Sequence, residues 1–136
     1  MANTNTNTRP IINGNTVVQV FNCASDGSEE TDLVIYDSSV VATALGISDP
    51  LDCAIKELWF YPSVTTTTRL FLEFDATTDV LAFALPSVGP VHVDFTTIMG
   101  GLANNAGTGI TGDITLTTTG LEAGDKFTLI LKVKPH

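Results

Sequence analysis

Hydrophobic positions along this chain recur mostly with a period of two, interrupted by short polar turns. Thr16 to Cys23 (TVVQVFNC) opens the pattern, and Asp32 to Asp37 (DLVIYD) resumes it after a polar loop. Runs rich in Val, Ile and Phe, bounded by Gly, Ser and Asp, read as strands. Ser38 to Gly46 (SSVVATALG) is the one predicted helix, with Asp37 or Ser38 as cap, Ala and Leu inside and Gly46 as its end. Asp49-Pro50 marks a turn, and Ala54 to Tyr61 (AIKELWFY) predicts a third strand that Pro62 stops. Strict alternation puts Ile55, Glu57, Trp59 and Tyr61 on one face and Ala54, Lys56, Leu58 and Phe60 on the other.

After the Thr65 to Thr68 turn, Arg69 to Asp75 (RLFLEFD) alternates with Leu70, Leu72 and Phe74 inward. A hairpin connection leads to Asp79 to Leu85 (DVLAFAL), apolar enough to be buried on both faces, or on one face and a partner. Val91 to Thr97 (VHVDFTT) is the sixth predicted strand. Asp113 to Thr119 (DITLTTT) and Lys126 to Lys134 (KFTLILKVK) close the pattern, the last with Phe127, Leu129, Leu131 and Val133 sharing a face. Eight predicted strands and at most one short helix define an all-β fold: a single antiparallel β-sandwich or jelly-roll-like barrel. Apolar residues on nominally outer faces (Phe60, Phe71, Ile130) favour oligomerisation.

Composition narrows the functional classes. The chain has 136 residues, no internal repeat and no linker, which fits one domain over 11–136 preceded by a polar arm over 1–10. That arm, rich in Asn and Thr, buries no apolar surface; in isolation it is expected to be disordered, and a neighbouring subunit would hold it. Fifteen acids against six bases, a net charge of −9, oppose a nucleic-acid-binding face, which needs clustered Lys and Arg. No run reaches transmembrane length and the first residues carry no apolar stretch of the signal-peptide type, so neither membrane nor secretion is expected. Threonine is abundant, at 21 residues, and its blocks at 65–68, 77–78, 96–97 and 117–119 suit polar outer faces of strands.

Candidate chemistry is sparse. Cys23 and Cys53 lack a CxxC or ligand-spaced His and read as buried thiols, with a single disulfide as the alternative. Asp26, Glu29, Glu30 and Asp32 suggest a calcium loop, but the spacing and closing Glu of an EF-hand are missing, so a solvated turn is preferred and no metal or cofactor is expected. His92 and Asp94 share a strand face without a GxSxG or comparable nucleophile, so no catalytic residues are assigned and the protein is read as a non-enzyme. Trp59 and Tyr61 allow stacking on sugar rings, against core or subunit packing. The row Lys126, Lys132 and Lys134 reads as a solvated face. The glycine-rich stretch from Gly100 to Asp113 has no companion Lys or Arg and no strand-to-helix transition, so it reads as a close-packing connection and an assembly surface at a subunit contact, not a phosphate loop or active site.

The arrangement of turns and aromatics resembles a known family. Asp26-Gly27-Ser28-Glu29-Glu30 after a Val-rich strand, Trp59, Phe74-Asp75-Ala76-Thr77-Thr78-Asp79, Leu85-Pro86, Asp94-Phe95, Gly100-Gly101-Leu102, Gly109-Ile110-Thr111-Gly112-Asp113-Ile114 and Gly124-Asp125-Lys126-Phe127-Thr128-Leu129 are similar to small virion structural proteins of tailed bacteriophages, of the capsid decoration or cement type. The resemblance runs from about Thr16 to Lys134, while the polar arm and the Thr65 to Thr68 run lie outside it. It implies a non-enzymatic protein, made in the host cytoplasm, that binds the outer surface of an icosahedral head as a homotrimer and stabilises it. The major capsid protein and sister subunits would be its partners. Asn3, Asn5, Asn7, Arg9, Trp59, Tyr61, Gly100, Gly101 and Asn105 are the expected capsid or subunit contacts. The alternative is a carbohydrate- or receptor-binding module of the virion.

Overall fold

The computed structural model describes residues 3–7, 10–14, 16–48, 53–65 and 67–135. Among these residues, eleven strands run in chain order: β1 (Thr4–Asn7), β2 (Ile11–Asn13), β3 (Thr16–Asp26), β4 (Leu33–Tyr36), β5 (Cys53–Ser63), β6 (Arg69–Phe74), β7 (Val80–Leu85), β8 (Val91–Asp94), β9 (Leu102–Ala103), β10 (Ile114–Thr119) and β11 (Ala123–Pro135). Two short helices, α1 (Ser38–Leu45) and α2 (Phe95–Met99), join them. All pairings are antiparallel. The larger sheet runs β1-β3-β11-β5-β8, with β2 continuing along β3 and β9 along β5; the smaller runs β4-β10-β6-β7. The all-β sandwich is thus the observed architecture.

Alternation builds the core between the sheets. Phe21, Phe60 and Phe127, from three adjacent strands, meet with ring centroids 6.0 and 5.8 Å apart. Leu129, Leu131 and Val133 of β11 continue that inward face, and Leu70, Leu72, Phe74, Ile114 and Leu116 answer from the smaller sheet. Each such side chain removed from water contributes about 1.5–3 kcal/mol to folding. Helix α1 forms as its sequence predicts. The Asp37 carboxylate accepts from the Ser39 and Val40 amides, and Gly46, at φ 70°, ends it in the left-handed conformation.

Five expectations need correction. The strand read as 91–97 stops at Asp94, whose carboxylate accepts from the Thr96 and Thr97 amides and starts α2; a second helix therefore exists, and Gly100 caps its end at φ 76°. Pro62 does not stop β5, which continues to Ser63 opposite Lys126; β8 pairs no farther than Phe60, so the missing proline N–H faces an unpaired edge. In β5, register shifts where Lys132 pairs Glu57 and Val133 pairs Ile55. Lys56 is the extra residue of this bulge, so Ile55 turns inward with Leu58 and Phe60, and Phe60 is core rather than outer surface. Strand β7 is the edge of the smaller sheet, with Leu81 56% exposed, which removes burial on both faces and leaves the other expectation, burial on one face, standing.

The fifth concerns the polar arm. Residues 4–7 pair with Phe21–Ala24 of the same chain, so no neighbour is required to order them. Thr4 and Thr6 lie opposite Ala24 and Asn22 on the outer face, whereas Asn5 and Asn7 lie opposite the inward Cys23 and Phe21. From that inner side Asn3 Nδ2 donates to the Ser28 carbonyl and Glu30 Oε1, Asn5 Nδ2 to the same Glu30 oxygen, and Asn7 Nδ2 to the Ile35 carbonyl. The arm therefore bridges the two sheets along one side.

Candidate functional site

The outer face of the larger sheet carries the sequence-predicted aromatic pair. Register places Val20, Ile130, Trp59 and His92 in one row across β3, β11, β5 and β8, and Val18, Lys132, Glu57 and Asp94 in the next. Alternation turns all of these away from the core. The Trp59 and His92 rings stack at 4.9 Å with planes 5° apart. His92 Nε2 lies 3.0 Å from Glu57 Oε2, and Lys132 Nζ lies 3.8 Å from Glu57 Oε1. The imidazole is held between an indole and a carboxylate, which fixes both aromatic planes on the sheet.

Tyr61, 48% exposed, stands one row farther along. An open depression of about 370 Å³ lies beside it, walled by Thr4, Thr6, Asn22, Lys126 and Thr128. Thr128 Oγ1 donates to Asn22 Oδ1 at 2.6 Å, so this wall is a connected polar surface. The result is an apolar and aromatic strip with a hydroxyl-rich shoulder. Such a face can dock a protein surface or a sugar.

The remaining expected contact residues separate. Asn3, Asn5 and Asn7 spend their amides within the chain, as described, and Arg9 lies outside the described residues. Gly100 caps α2, and its carbonyl accepts from Lys56 Nζ at 2.7 Å; Gly101 packs beside the same lysine. Asn105 is exposed. None of these three adjoins the Trp59–Tyr61 strip in the register of the sheet. The glycine-rich connection close-packs within its own chain. The Thr77 amide donates to the Thr108 carbonyl and the Thr111 amide to the Asp75 carbonyl, and a Cβ on Gly109 would stand 2.0 Å from Thr77 Oγ1.

His92 pairs with Glu57, not with its strand neighbour Asp94. Asp94 caps α2, and its hydrogen bonds, first that from the Thr96 hydroxyl, hold it below the usual carboxylate range. Cys23 and Cys53 are both buried thiols without a disulfide. They pair with Phe127 and Pro135 of β11, eight residues apart (135 − 127), or about 26 Å along a strand, so neither can reach the other. Burial, with Glu30 nearby, pushes the Cys23 thiol up to about 11.

The acidic loop is dismantled by the fold. Asp26 accepts from the Ser28 amide, and hydrogen bonding from Ser28 lowers its pKa. Glu29 accepts from the Gly120 and Leu121 amides and the Thr118 hydroxyl, and Glu30 holds the arm. Asp32 leaves its sequence neighbours and joins Glu73 of β6 and Asp79 before β7, with carboxylate oxygens within 4.8 Å of one another. Partial loss of hydration, then the adjoining Asp79 carboxyl, raise the pKa of Asp32. No local motif announces this grouping, because its members are 41 and 6 residues apart (73 − 32 and 79 − 73).

These features define an antiparallel β-sandwich with one exposed aromatic sheet face. No family model, curated protein or solved structure matches the chain.

Proposed function

We propose that the protein is a non-enzymatic virion component of the capsid decoration type, which binds the outer surface of an icosahedral phage head and stabilises it. The observation that carries the reading is the outward row Val20–Ile130–Trp59–His92 with Tyr61 beside it. A partly apolar face anchored by aromatics suits burial against another protein, since buried aromatics dominate interface energetics. The net charge of −9 suits the exterior of a shell packed with DNA. The major capsid protein and sister copies in a homotrimer are the partners in this reading, and the outer capsid surface is its location. The resemblance described above is its second support.

The deciding experiment is purification of the native particle. Stoichiometric presence of the protein on heads, and loss of heat resistance in particles lacking it, support the reading; unchanged particle stability removes it. A carbohydrate- or receptor-binding role is the second reading, favoured by Tyr61 beside a hydroxyl-lined depression. Glycan-array binding by the isolated protein, abolished in Tyr61→Ala, would select it.

A further inference from the structure

We propose that Asp32, Glu73 and Asp79 form a calcium site on the smaller sheet, with the Thr115 hydroxyl as a neutral ligand. The three acids come from the β3–β4 connection, from β6 and from the β6–β7 turn, and one oxygen of each falls within 4.8 Å of the others. Folding has collected three acidic side chains from distant positions, and a bound cation would relieve their mutual repulsion.

The hydrogen bonds around the cluster leave it short of positive partners. Thr117 Oγ1 stands 2.7 Å from Glu73 Oε1 and 3.4 Å from Asp32 Oδ1, and the single hydroxyl proton serves the nearer oxygen. Asp79 Oδ1 accepts from the Ala76 amide at 3.1 Å. The independent observation is Thr115. Its side chain is 1% exposed and its Oγ1 has no hydrogen-bond partner. Alternation along β10 sends Ile114 and Leu116 into the core and Thr115 and Thr117 to the opposite face. Register sets Thr115 directly across from Glu73, where cross-strand side chains are neighbours. A buried hydroxyl without a partner costs stability. Coordination through its oxygen removes that cost.

The donors are all oxygen, which selects a hard cation over zinc or copper. Calcium accepts irregular shells of about six to eight oxygens, whereas magnesium demands a near-ideal octahedron and gives up its waters reluctantly. Exposed Asp32 leaves room for waters to complete the shell. Bound calcium would tie the loop before β4 to β6, β10 and the β6–β7 turn, hence the whole smaller sheet.

The test is thermal unfolding of the full chain in EDTA and in millimolar CaCl₂ or MgCl₂. Wild type should rise in Tm with calcium and much less with magnesium, since a ligand that binds only the folded state stabilises it by mass action. Asp32→Asn keeps a residue that tolerates φ 49° and should fold. In EDTA it should be more stable than wild type, through relieved repulsion, and calcium should no longer move it, so the order reverses when calcium is added. Thr115→Val should keep its stability in EDTA and lose calcium affinity several-fold. Glu122→Gln, an exposed acid away from the cluster, should respond as wild type does. The proposal is overturned if calcium does not move wild type, if magnesium acts equally, or if Asp32→Asn keeps the full calcium response.

Discussion

Asn3 Nδ2 donates to Glu30 Oε1 at 2.9 Å, joining the polar arm to the loop that enters the opposite sheet. Asn5 shares that acceptor and the Asp26 amide donates back to Asn3 Oδ1, so the arm is part of the folded domain. Deleting residues 1–7 should lower unfolding stability by about 2 kcal/mol, from several mostly part-buried hydrogen bonds of roughly 0.5–1.5 kcal/mol each. Urea denaturation checks this. Limited proteolysis of the monomer should spare the arm until the domain opens.

Gly109 is fixed by what lies beside it. A Cβ there meets Thr77 Oγ1 at 2.0 Å and the Thr77 amide nitrogen at 2.9 Å, and its φ of 81° strains any L residue. Gly109→Ala should cost about 2–4 kcal/mol, combining overpacking with left-handed strain. A lowered urea midpoint with an unchanged m value is the expected record.

The Thr65–Thr68 run has an internal role. Thr68 is fully buried, its Oγ1 3.1 Å from the Gly120 carbonyl and 3.2 Å from Asp125 Oδ2 with one proton to share between them, while the Glu122 amide donates to the same Asp125 oxygen. Thr68→Val should destabilise by about 1–3 kcal/mol, because it leaves buried acceptors unmatched. Thr65→Val, at the edge of the network, should cost less.

Two aspartates should titrate with opposite consequences. Asp94 has its pKa lowered by its cap bonds, so its contribution is present above about pH 4 and lost as pH falls through the folded-state value. Asp113 has its pKa raised, chiefly by burial, so its ionised form weakens the fold at neutral pH, and that loss is relieved as pH falls toward 4. Asp113→Asn keeps an acceptor for the Ser38 amide. It should therefore match or exceed wild-type stability at pH 7, with the gain vanishing near pH 4. Asp94→Asn should be weaker than wild type at pH 7 and converge with it in acid. Thermal unfolding from pH 3 to 8 separates them.

Cys23, buried and with its pKa near 11, should be inert to thiol reagents at pH 8 in the native protein and react fully in guanidinium. Rapid native labelling would contradict the packing of β3.

The sequence made some parts of this molecule plain and hid others for identifiable reasons. Helix α1 was legible because Asp37 and Gly46 are local signals, and β11 because Phe127, Leu129, Leu131 and Val133 alternate without interruption. The turn of Ile55 was not, since one extra residue at Lys56 reverses every side chain before it and leaves no mark in composition. Asp94 reads equally as strand or cap until its amide partners are known. Hydrophobicity alone does not reveal the arm as a strand. Asn3, Asn5 and Asn7 alternate with Thr4 and Thr6, a period of two written in polar residues, and such a strand is held by side-chain amides rather than by burial. Trp59 and Tyr61 were legible as a pair on one face. The company they keep, His92, Ile130 and Val20, is set by strand order, which no local pattern encodes.

The placement of β11 between β3 and β5 governs when the fold can appear. A ribosome that has emitted β1 to β10 has made both flanks of the larger sheet but not the strand that joins them, so Phe21 and Phe60 still lack Phe127. Closure must wait for a segment made about 100 residues after β3, and contacts of such long range form slowly. Nascent chains should therefore stay protease-sensitive until β11 clears the exit tunnel, then become resistant in one cooperative step.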